Sequence, residues 1–489
     1  MNAKHLQWIA FFTLLTTCNF SIAEKLDANT IAALEKQLTK NEKRYGTVAQ
    51  SILVKKQGEI IYNRAHGLSS IELSTTISDE NQYPVYSLAK LFTSVALMSL
   101  VEKGDVDLDK SITFYIPELP KNWSHVSVRH CLNHTSGIPE YFSMAFIKTE
   151  FPDTTYDAIN RISKHPFQFS TGDSYNYNNT NFLIIGLIIE RLTNESFTTY
   201  VENTIIKPLN LKRTFYARAK DKIPSLVNSY WGQQGQYSID KGVNWASYSF
   251  THSGLYSNKW DLQRFIDGII EGKILSTNTV YDMWIPMRLN DGTVGRYASG
   301  WHYTQEGEFT RVGHEGGNRA RLDYHFKPNN RAENYTSIYL TNGNGFGGIS
   351  THLVDSLMSI IAPKDFPTLV LLEKLLNDTF NNVIQRTGKN IVNLIDENKF
   401  VTRQNRNSFM MERGWTIFYN SSVEHAITYF KFYTEHNPSD EIGWVYLAKS
   451  WLKKGDKENA LKYFKVALAL QKDLPNVQNK VDELQNSKS

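Results

Sequence analysis

The sequence predicts a mixed α+β fold with one antiparallel sheet and helices, followed by a region that is entirely helical. Three observations predict it. Strand-like runs lie near both ends of residues 24–362, around 51–62 and 322–341, and helical patterns occupy the chain between them. Strands placed in this way are expected to meet in one antiparallel sheet. After Pro363 the strand signals stop, and residues 368–480 have helical periodicity.

The individual elements follow from local patterns. Residues 24–45 carry apolar side chains near helical spacing, which predicts a helix. Ser51–Val54 and Ile60–Tyr62 flank a polar turn with a glycine, which predicts a β-hairpin. From Ser87 to Lys103 the apolar residues fall on one helical face, and a second apolar helix follows Asn181.

The helical region contains an internal repeat. Ala426 and Phe430 have a spacing that Ala460 and Phe464 repeat about 34 positions later, which is the period of tetratricopeptide repeats. The sequence therefore predicts a helical linker over 363–405, repeats over 406–480 and a polar tail over 481–489. The alternative is a helical hairpin without repeat ancestry. Two repeats cannot bury a solenoid face alone, so they are expected to dock on the rest of the chain.

Composition excludes some classes of function. The 489 residues are more than one core normally serves. The formal charge of +4 is spread along the chain without a Lys/Arg block, so no nucleic-acid partner is predicted. The sequence shows no paired Cys/His spacing typical of zinc sites, and we predict neither a metal nor another cofactor.

The first residues resemble an export signal. Lys4 precedes a short apolar run, and Ser21-Ile22-Ala23 has the small residues of a cleavage site. We therefore expect a signal peptide over 1–23, an exported protein that is periplasmic or secreted, and no transmembrane segment in the mature chain. The alternatives are an uncleaved anchor, a buried helix, or a lipid anchor at Cys18. Cleavage leaves Cys131 as the only cysteine, without a disulfide partner.

Ser87 and Lys90 form an S-x-x-K pattern at the start of a predicted helix. This spacing places both side chains on one helical face. The helix N-terminus stabilises negative charge near the serine, and a lysine whose pKa is depressed by burial can accept the hydroxyl proton. An isolated match of this kind is more often an N-cap serine and a solvated lysine.

Two further motifs change that interpretation. Tyr177 and Asn179 form a Y-x-N pattern after a Gly-led turn; a tyrosine hydroxyl can carry a proton, and an asparagine offers a donor and an acceptor. His314-Glu315-Gly316-Gly317 lies in a strand-like run whose glycines allow close approach of a ligand. Taken singly, the first motif is more typical of a buried tyrosine with a hydrogen-bonded turn asparagine, and the second is equally typical of a plain bulge or strand end.

The three motifs, in this order and at these spacings, resemble those of the serine β-lactamase-related superfamily. That group includes class C β-lactamases, penicillin-recognising D-alanyl carboxypeptidases, esterases and D-amino-acid peptidases. Arg129–Ile138, Ser253–Leu262 and Tyr297–Trp301 also resemble family segments, and the resemblance covers residues 45–360. It implies a β-lactamase/transpeptidase-like fold: an antiparallel sheet flanked by helices, plus a mostly helical lobe, with the active site in the cleft between them.

The resemblance also implies roles for individual residues. Ser87 matches the nucleophile, Lys90 the group that helps to deprotonate it, and Tyr177 the catalytic tyrosine of the class C-like branch. The backbone N–H groups of Ser87 and Gly317 match the oxyanion hole. The family loop that contains His134 is expected to be structural.

The remaining residues match substrate-binding positions. Asn179 matches the residue that holds the substrate amide, and His314, Gly316 and Gly317 match the third motif. Lactamases usually carry lysine where this chain has His314, and a histidine is only partly charged near neutral pH. If Glu315 points into the cleft, penicillins and acidic peptides are expected to be poor substrates. Strand alternation leaves that orientation open.

The sequence thus predicts an exported serine hydrolase that acts through a serine acyl-enzyme on an ester, an amide or a D-amino-acid peptide. The alternative is a peptidoglycan- or peptide-binding protein with little turnover, whose helical repeats recruit a partner protein. A third interpretation makes the helices a brace for the catalytic lobe, so that deletion of residues 368–489 gives insoluble protein.

Overall fold

A computed structural model describes residues 25–142, 151–233, 235–345, 350–397, 403–472 and 474–486. The predicted export signal over 1–23, with Cys18, lies outside the described residues. Among the helices that are described, none combines the length and the apolar character needed to cross a bilayer.

The strands are numbered in chain order, and most of them belong to one antiparallel sheet. They are β1 (Ala49–Lys56), β2 (Glu59–Ser70), β3 (Thr75–Thr76), β4 (Tyr83–Pro84), β5 (Phe215–Tyr216), β6 (Tyr230–Gln233), β7 (Gln236–Ile239), β8 (Leu255–Ser257), β9 (Tyr297–Ala298), β10 (Trp301–Glu306), β11 (Phe309–Gly316), β12 (Ala320–Lys327), β13 (Asn330–Thr341) and β14 (Gly343–Asn344). Within the described residues, the main sheet has the order β3-β2-β1-β13-β12-β11-β10-β9.

The helices follow the same numbering. They are α1 (Ala28–Tyr45), α2 (Ala89–Glu102), α3 (Ile112–Tyr115), α4 (Val128–Leu132), α5 (Thr155–Ile162), α6 (Asn179–Thr193), α7 (Phe197–Val201), α8 (Lys259–Ile270), α9 (Thr277–Met283), α10 (Ser350–Ile361), α11 (Pro367–Phe380), α12 (Ile384–Asp396), α13 (Arg403–Asn420), α14 (Val423–His436), α15 (Glu441–Lys454), α16 (Lys457–Leu470) and α17 (Pro475–Asn486). The last helix extends into the stretch predicted to be a polar tail.

The predicted fold class is confirmed. The first and last long strands of the predicted domain, β1 and β13, pair antiparallel, with Leu53 opposite Ile338. Strands β1 and β2 form the predicted hairpin. Beyond Pro363 the described chain is helical, as its periodicity predicts.

Each face of the main sheet covers a separate apolar core. On one face, α2, α6 and α8 bury a cluster in which the rings of Phe92 and Phe265 stack with centroids 4.0 Å apart. On the other face, α1 and α10 pack against β1 and β13. The nucleophile predicted at the start of α2 therefore lies on the first face, and the C-terminal helices lie beyond the second.

The C-terminal helices share the second core with the sheet. The same buried cluster contains Tyr339 of β13, Leu357 of α10, Met410 of α13 and Phe430 of α14. The repeat positions are buried, and Gly455 ends α15 in the left-handed conformation at a φ of 90°. Because the apolar contacts run without interruption from sheet to helices, the helical region is packed on the main domain. Its tetratricopeptide ancestry stays a prediction.

A buried ion network joins β11 to α13 through α10. Asp355 of α10 accepts from Arg311 Nη1 at 2.9 Å and from Arg413 Nη2 at 2.7 Å, while Arg311 also binds Asp323 at 2.6 Å. All four side chains are at most 7% exposed. The carboxylate of Asp355 is thus shared by two buried guanidinium groups from different parts of the fold.

Replacement of Asp355 by asparagine is expected to destabilise the protein by about 3–5 kcal/mol, because the buried Arg413 loses its close counter-charge, whereas Arg311 keeps Asp323 and Glu306. Urea unfolding would measure the loss. Asp396→Asn is the matched control, because Asp396 is 45% exposed and its ion pair with Arg406 is expected to contribute at most about 1 kcal/mol. Equal losses in both variants would contradict the structural role of the network.

Candidate active site

Ser87 lies in a single 3-10 turn, Tyr86–Leu88, that leads directly into α2. The α-helix was predicted to begin at Ser87, and this start is wrong by two residues. Tyr86 adopts a left-handed conformation at a φ of 48°, so the chain cannot enter a regular α-helix until it has passed the turn. The Tyr86 hydroxyl accepts a hydrogen bond from Arg319 Nη1 at 2.8 Å, which helps to hold this conformation.

Lys90 lies beside Ser87, as the S-x-x-K spacing predicts. Its Nζ is 3.3 Å from Ser87 Oγ and donates to the carbonyl oxygen of His252 at 3.2 Å. The side chain is completely buried. Burial lowers the pKa of Lys90 to about 7, although the carboxylate of Glu140 acts in the opposite direction. A substantial fraction of Lys90 is therefore a neutral amine at neutral pH and can accept a proton.

Tyr177 covers the same lysine. Lys90 Nζ lies 4.8 Å from the centroid of the Tyr177 ring. The Tyr177 hydroxyl is buried, and burial raises its pKa well above the ordinary value even though the Ser87 hydroxyl stabilises the phenolate. Within the part of the chain that the structure describes, the Tyr177 hydroxyl has no hydrogen-bond partner. Tyr177 is thus a neutral phenol next to Ser87, and Lys90 is the stronger candidate for the resting base.

The loop around His134 supports the Tyr177 segment. His134 has a left-handed φ of 58°, and its Nδ1 accepts from the backbone N–H of Asn178 at 3.1 Å. Ser136 Oγ donates to Asn181 Oδ1 at 2.6 Å. These contacts fix the start of α6, which matches the structural role expected for the loop.

Asn179 is the first residue of α6, and a carboxylate that the sequence analysis missed holds it. Glu140 Oε2 accepts from the Asn179 backbone N–H at 2.6 Å and from Asn179 Nδ2 at 3.2 Å. One donor of the Asn179 amide is therefore occupied within the protein. Whether the amide also holds a substrate stays a prediction.

His314 of β11 faces the same centre as Tyr177, with ring centroids 5.8 Å apart. Burial, together with Lys90, lowers the pKa of His314 to about 3, so the imidazole is neutral at physiological pH. The sequence alone predicts a histidine that is partly charged near neutral pH, whereas burial in the fold keeps the imidazole neutral. Glu315 is on the opposite face of the strand, and Arg321 of β12 lies opposite it in the sheet register. Burial raises the pKa of Glu315, and the Glu412 carboxylate of α13 acts in the same direction.

Gly316 and Gly317 bring the end of β11 against the nucleophile turn. A Cβ atom at Gly316 would overlap the carbonyl oxygen of Val85, and one at Gly317 would lie 2.9 Å from the Tyr86 ring. Gly317 also has a left-handed φ of 54°. Only glycine allows this approach, which places the end of β11 against Val85 and Tyr86, directly before Ser87.

Comparison with known proteins assigns this arrangement to a family. The sequence model of the family described as Beta-lactamase matches residues 31–353, which is more than half of the chain. The chain belongs to the Beta-lactamase family. The assignment confirms the superfamily inferred from the three motifs and places Ser87, Lys90, Tyr177 and His314 within the matched domain.

Individual relatives of this family member are distant. Protein flp of Staphylococcus aureus (strain N315) is 26% identical over 176 residues, which are 35% of this chain and 35% of that protein. The match thus spans about a third of the relative. Among solved structures, a D-stereospecific amidohydrolase from Streptomyces sp. has 22% identity and a TM-score of 0.55, covering 68% of this chain and 97% of that one. A penicillin binding protein from Bacillus halodurans has 18% identity and a TM-score of 0.55, covering 69% and 99%. These structures share the fold.

Sequence reasoning also missed Arg296, which links the site to the C-terminal helices. Its guanidinium lies 5.2 Å from the centroid of the Tyr175 ring, and its Nη2 donates to Ser408 Oγ of α13 at 3.1 Å. Tyr175 is two residues before Tyr177, so α13 approaches the loop of the predicted catalytic tyrosine. Arg296 directly precedes the Tyr297–Trp301 family segment, which was the only sequence signal available.

Proposed function

We propose that this chain is a serine hydrolase that forms an acyl-enzyme on Ser87 and hydrolyses it. The proposal covers an ester, an amide or a D-amino-acid peptide as substrate. The observation that carries it is the 3.3 Å distance between the Oγ of the partly exposed Ser87 and the Nζ of Lys90, whose side chain is completely buried. A lysine with a pKa of about 7 in hydrogen-bond reach of a serine hydroxyl is a competent general base.

Acylation follows from this geometry. The Ser87 oxygen bonds to the substrate carbonyl carbon while its proton moves to the neutral amine of Lys90. The bond to the leaving group then breaks, and the leaving group takes a proton from the Tyr177 hydroxyl, which Lys90 restores. Water resolves the acyl-enzyme by the reverse proton path, so that Ser87 and Lys90 return to their starting states.

The negative charge on the carbonyl oxygen needs donors that are already in place. Gly316 lies against the carbonyl oxygen of Val85 and Gly317 against the Tyr86 ring, so the end of β11 borders the turn that carries Ser87, and the backbone N–H groups of Ser87 and Gly317 are the candidate donors. We assign these two groups to the oxyanion hole, where each donor contributes about 3 kcal/mol to the transition state.

The charge distribution favours neutral substrates. Where lactamases carry a lysine that helps to hold a substrate carboxylate, this chain has His314, which is uncharged at neutral pH. The repulsion expected from Glu315 has a weaker basis, because that side chain lies on the opposite strand face. The missing cation alone predicts slow turnover of penicillins and acidic peptides relative to neutral esters and amides.

Intact-mass spectrometry of the secreted, purified full chain tests the proposal. A fluorophosphonate is expected to add one phosphonyl group to Ser87 with loss of fluoride, and p-nitrophenyl esters and D-aminoacyl amides are expected to turn over faster than nitrocefin. The same spectrum reports whether residues 1–23 have been removed, as the signal-peptide prediction expects.

Ser87→Ala is the control, and it must lose both the adduct and the turnover. Absence of an adduct from the wild-type chain across pH 6–9 would contradict the enzyme and favour the peptide-binding alternative. Fast nitrocefin hydrolysis that Ser87→Ala abolishes would keep the enzyme but contradict the substrate class.

A further inference from the structure

Glu140 has the hydrogen bonds of an ionised carboxylate next to the proposed catalytic centre. Its Oε1 accepts from the backbone N–H of Phe142 at 2.8 Å, and its Oε2 accepts from the backbone N–H and the side-chain amide of Asn179 at 2.6 and 3.2 Å. Three N–H donors converge on the two carboxylate oxygens. An ionised carboxylate suits this arrangement, because both of its oxygens are acceptors and neither carries a proton. Such charge-assisted bonds are short and strong, so Glu140 is rigidly held.

Burial raises the pKa of Glu140, whereas its N–H donors and Lys90 act in the opposite direction and favour the ionised form. The negative charge of that form acts on Lys90. It favours the protonated amine, against the much larger effect of burial. The other titratable side chains that interact with Lys90 come from the His134 loop, the Tyr177 segment, the turn at His252 and strand β11, and they are His134, Tyr177, His252 and His314. Burial lowers the pKa of each of the three histidines and raises that of Tyr177, so these groups are neutral near pH 7.

Acylation places a positive charge on Lys90, and the carboxylate of Glu140 can stabilise that charge. When Lys90 takes the Ser87 proton, an ammonium group forms on a completely buried side chain. An unpaired buried ammonium is costly, and a fixed carboxylate nearby reduces that cost. Glu140 is bonded to Asn179, two residues after the Tyr177 ring whose centroid lies 4.8 Å from Lys90 Nζ, and its carboxylate attracts the ammonium group of Lys90.

We propose that Glu140 is a positioning residue whose carboxylate fixes Asn179 at the start of α6 and provides the counter-charge for the Lys90 ammonium that forms during acylation. The inference rests on the proposed acyl-enzyme function. It assigns no contact between Glu140 and the substrate. Its signal in the sequence is slight: one carboxylate two residues after the His134–Ile138 loop, followed by two aromatic residues.

The test is the pH dependence of Ser87 phosphonylation, followed by intact mass from pH 5 to 9 in the full chain. In Glu140→Gln, loss of the negative charge is expected to move the rising limb to lower pH than the wild-type limb near pH 7, because the protonated form of Lys90 loses its stabilisation. The plateau rate is expected to fall about 10- to 100-fold, since a charge-assisted hydrogen bond has been removed.

Three variants separate the two parts of the role. Glu140→Asp keeps the charge and is expected to keep the limb near its wild-type pH. Asn179→Ala removes the held side chain but keeps the carboxylate, so its rate falls without a shift of the limb. Glu118→Gln removes an exposed carboxylate paired with Arg191 and is expected to leave both quantities unchanged.

The outcomes distinguish the two proposals. If the wild-type chain is not phosphonylated on Ser87, the proposed function fails. If the wild-type chain reacts but Glu140→Gln keeps its limb at the wild-type pH, the role of Glu140 is overturned while the hydrolase stands. If Glu140→Gln does not fold, a rising limb in Glu140→Asp that moves away from the wild-type pH although the negative charge is kept would overturn it equally.

Discussion

Replacement of Lys90 by alanine is expected to slow the acylation of Ser87 by about 10²- to 10⁴-fold, the range in which a positioned general base contributes. The reason is geometric. Lys90 Nζ is 3.3 Å from Ser87 Oγ, and burial lowers the pKa of the amine to about 7. The Tyr177 phenol has a raised pKa and cannot replace it as the resting base. The measurement is the rate constant for reaction with a p-nitrophenyl ester or a fluorophosphonate.

The wild-type rate is expected to depend on pH in a defined direction. Below about pH 7 Lys90 is protonated and cannot accept the serine proton, so kcat/KM rises as pH increases through about 7 and then levels off. Lys90→Ala is expected to lose this limb together with most of the activity. A limb near pH 7 that persists in Lys90→Ala would mean that another group titrates.

Lys259 offers a matched control for this experiment. It is a second buried lysine, 1% exposed, whose Nζ binds Asp79 at 2.7 Å and the Arg64 carbonyl oxygen at 3.3 Å. Lys259→Ala removes a buried amine of the same kind on α8 and leaves the contacts of Ser87 intact. It is expected to reduce stability and to leave the pH limb in place. A comparable loss of acylation in both variants would point to general unfolding.

Gly316→Ala is expected to lower kcat/KM by about 10²- to 10³-fold, comparable to the loss of an oxyanion donor. The added methyl group overlaps the carbonyl oxygen of Val85, which is backbone and cannot rotate away. Strand β11 must therefore withdraw from the nucleophile turn, and the N–H of Gly317 moves with it. Steady-state kinetics with a neutral ester measure the loss, which should appear mainly in kcat.

Gly388→Ala is the corresponding control in the C-terminal helices. A Cβ at Gly388 would lie 2.6 Å from the Phe432 ring, so this substitution also crowds a buried contact, but far along the chain from Ser87. It is expected to reduce stability with little change in kcat/KM. If Gly316→Ala retains full activity in folded protein, the close approach of β11 is not needed for catalysis.

The sequence predicted the parts of the site that depend on short spacings and on recognisable motifs. Ser87 and Lys90 are three residues apart on consecutive turns, so their proximity is local, and Tyr177 was found through its motif. The pairing of β1 with β13 followed from strand signals at both ends of the domain.

The features that were missed depend on distant segments or on backbone atoms. Glu140 lies in no periodic pattern, and its role appears only when the start of α6 packs against it. The partner that His252 offers to Lys90 is a carbonyl oxygen, which every residue type has. A left-handed conformation is unusual for an aromatic residue such as Tyr86, so the sequence pattern predicted a helix that begins at Ser87, two residues before the start of α2. The neutrality of His314 likewise depends on burial that no spacing reveals.

The contact of Arg296 with Ser408 has a consequence for protein engineering. Because Arg296 also lies against the Tyr175 ring, the helical extension borders the loop that carries Tyr177. Replacement of this extension therefore also removes one neighbour of that loop. Screens for altered selectivity should vary α13 together with the loop, because Arg296 contacts both of them.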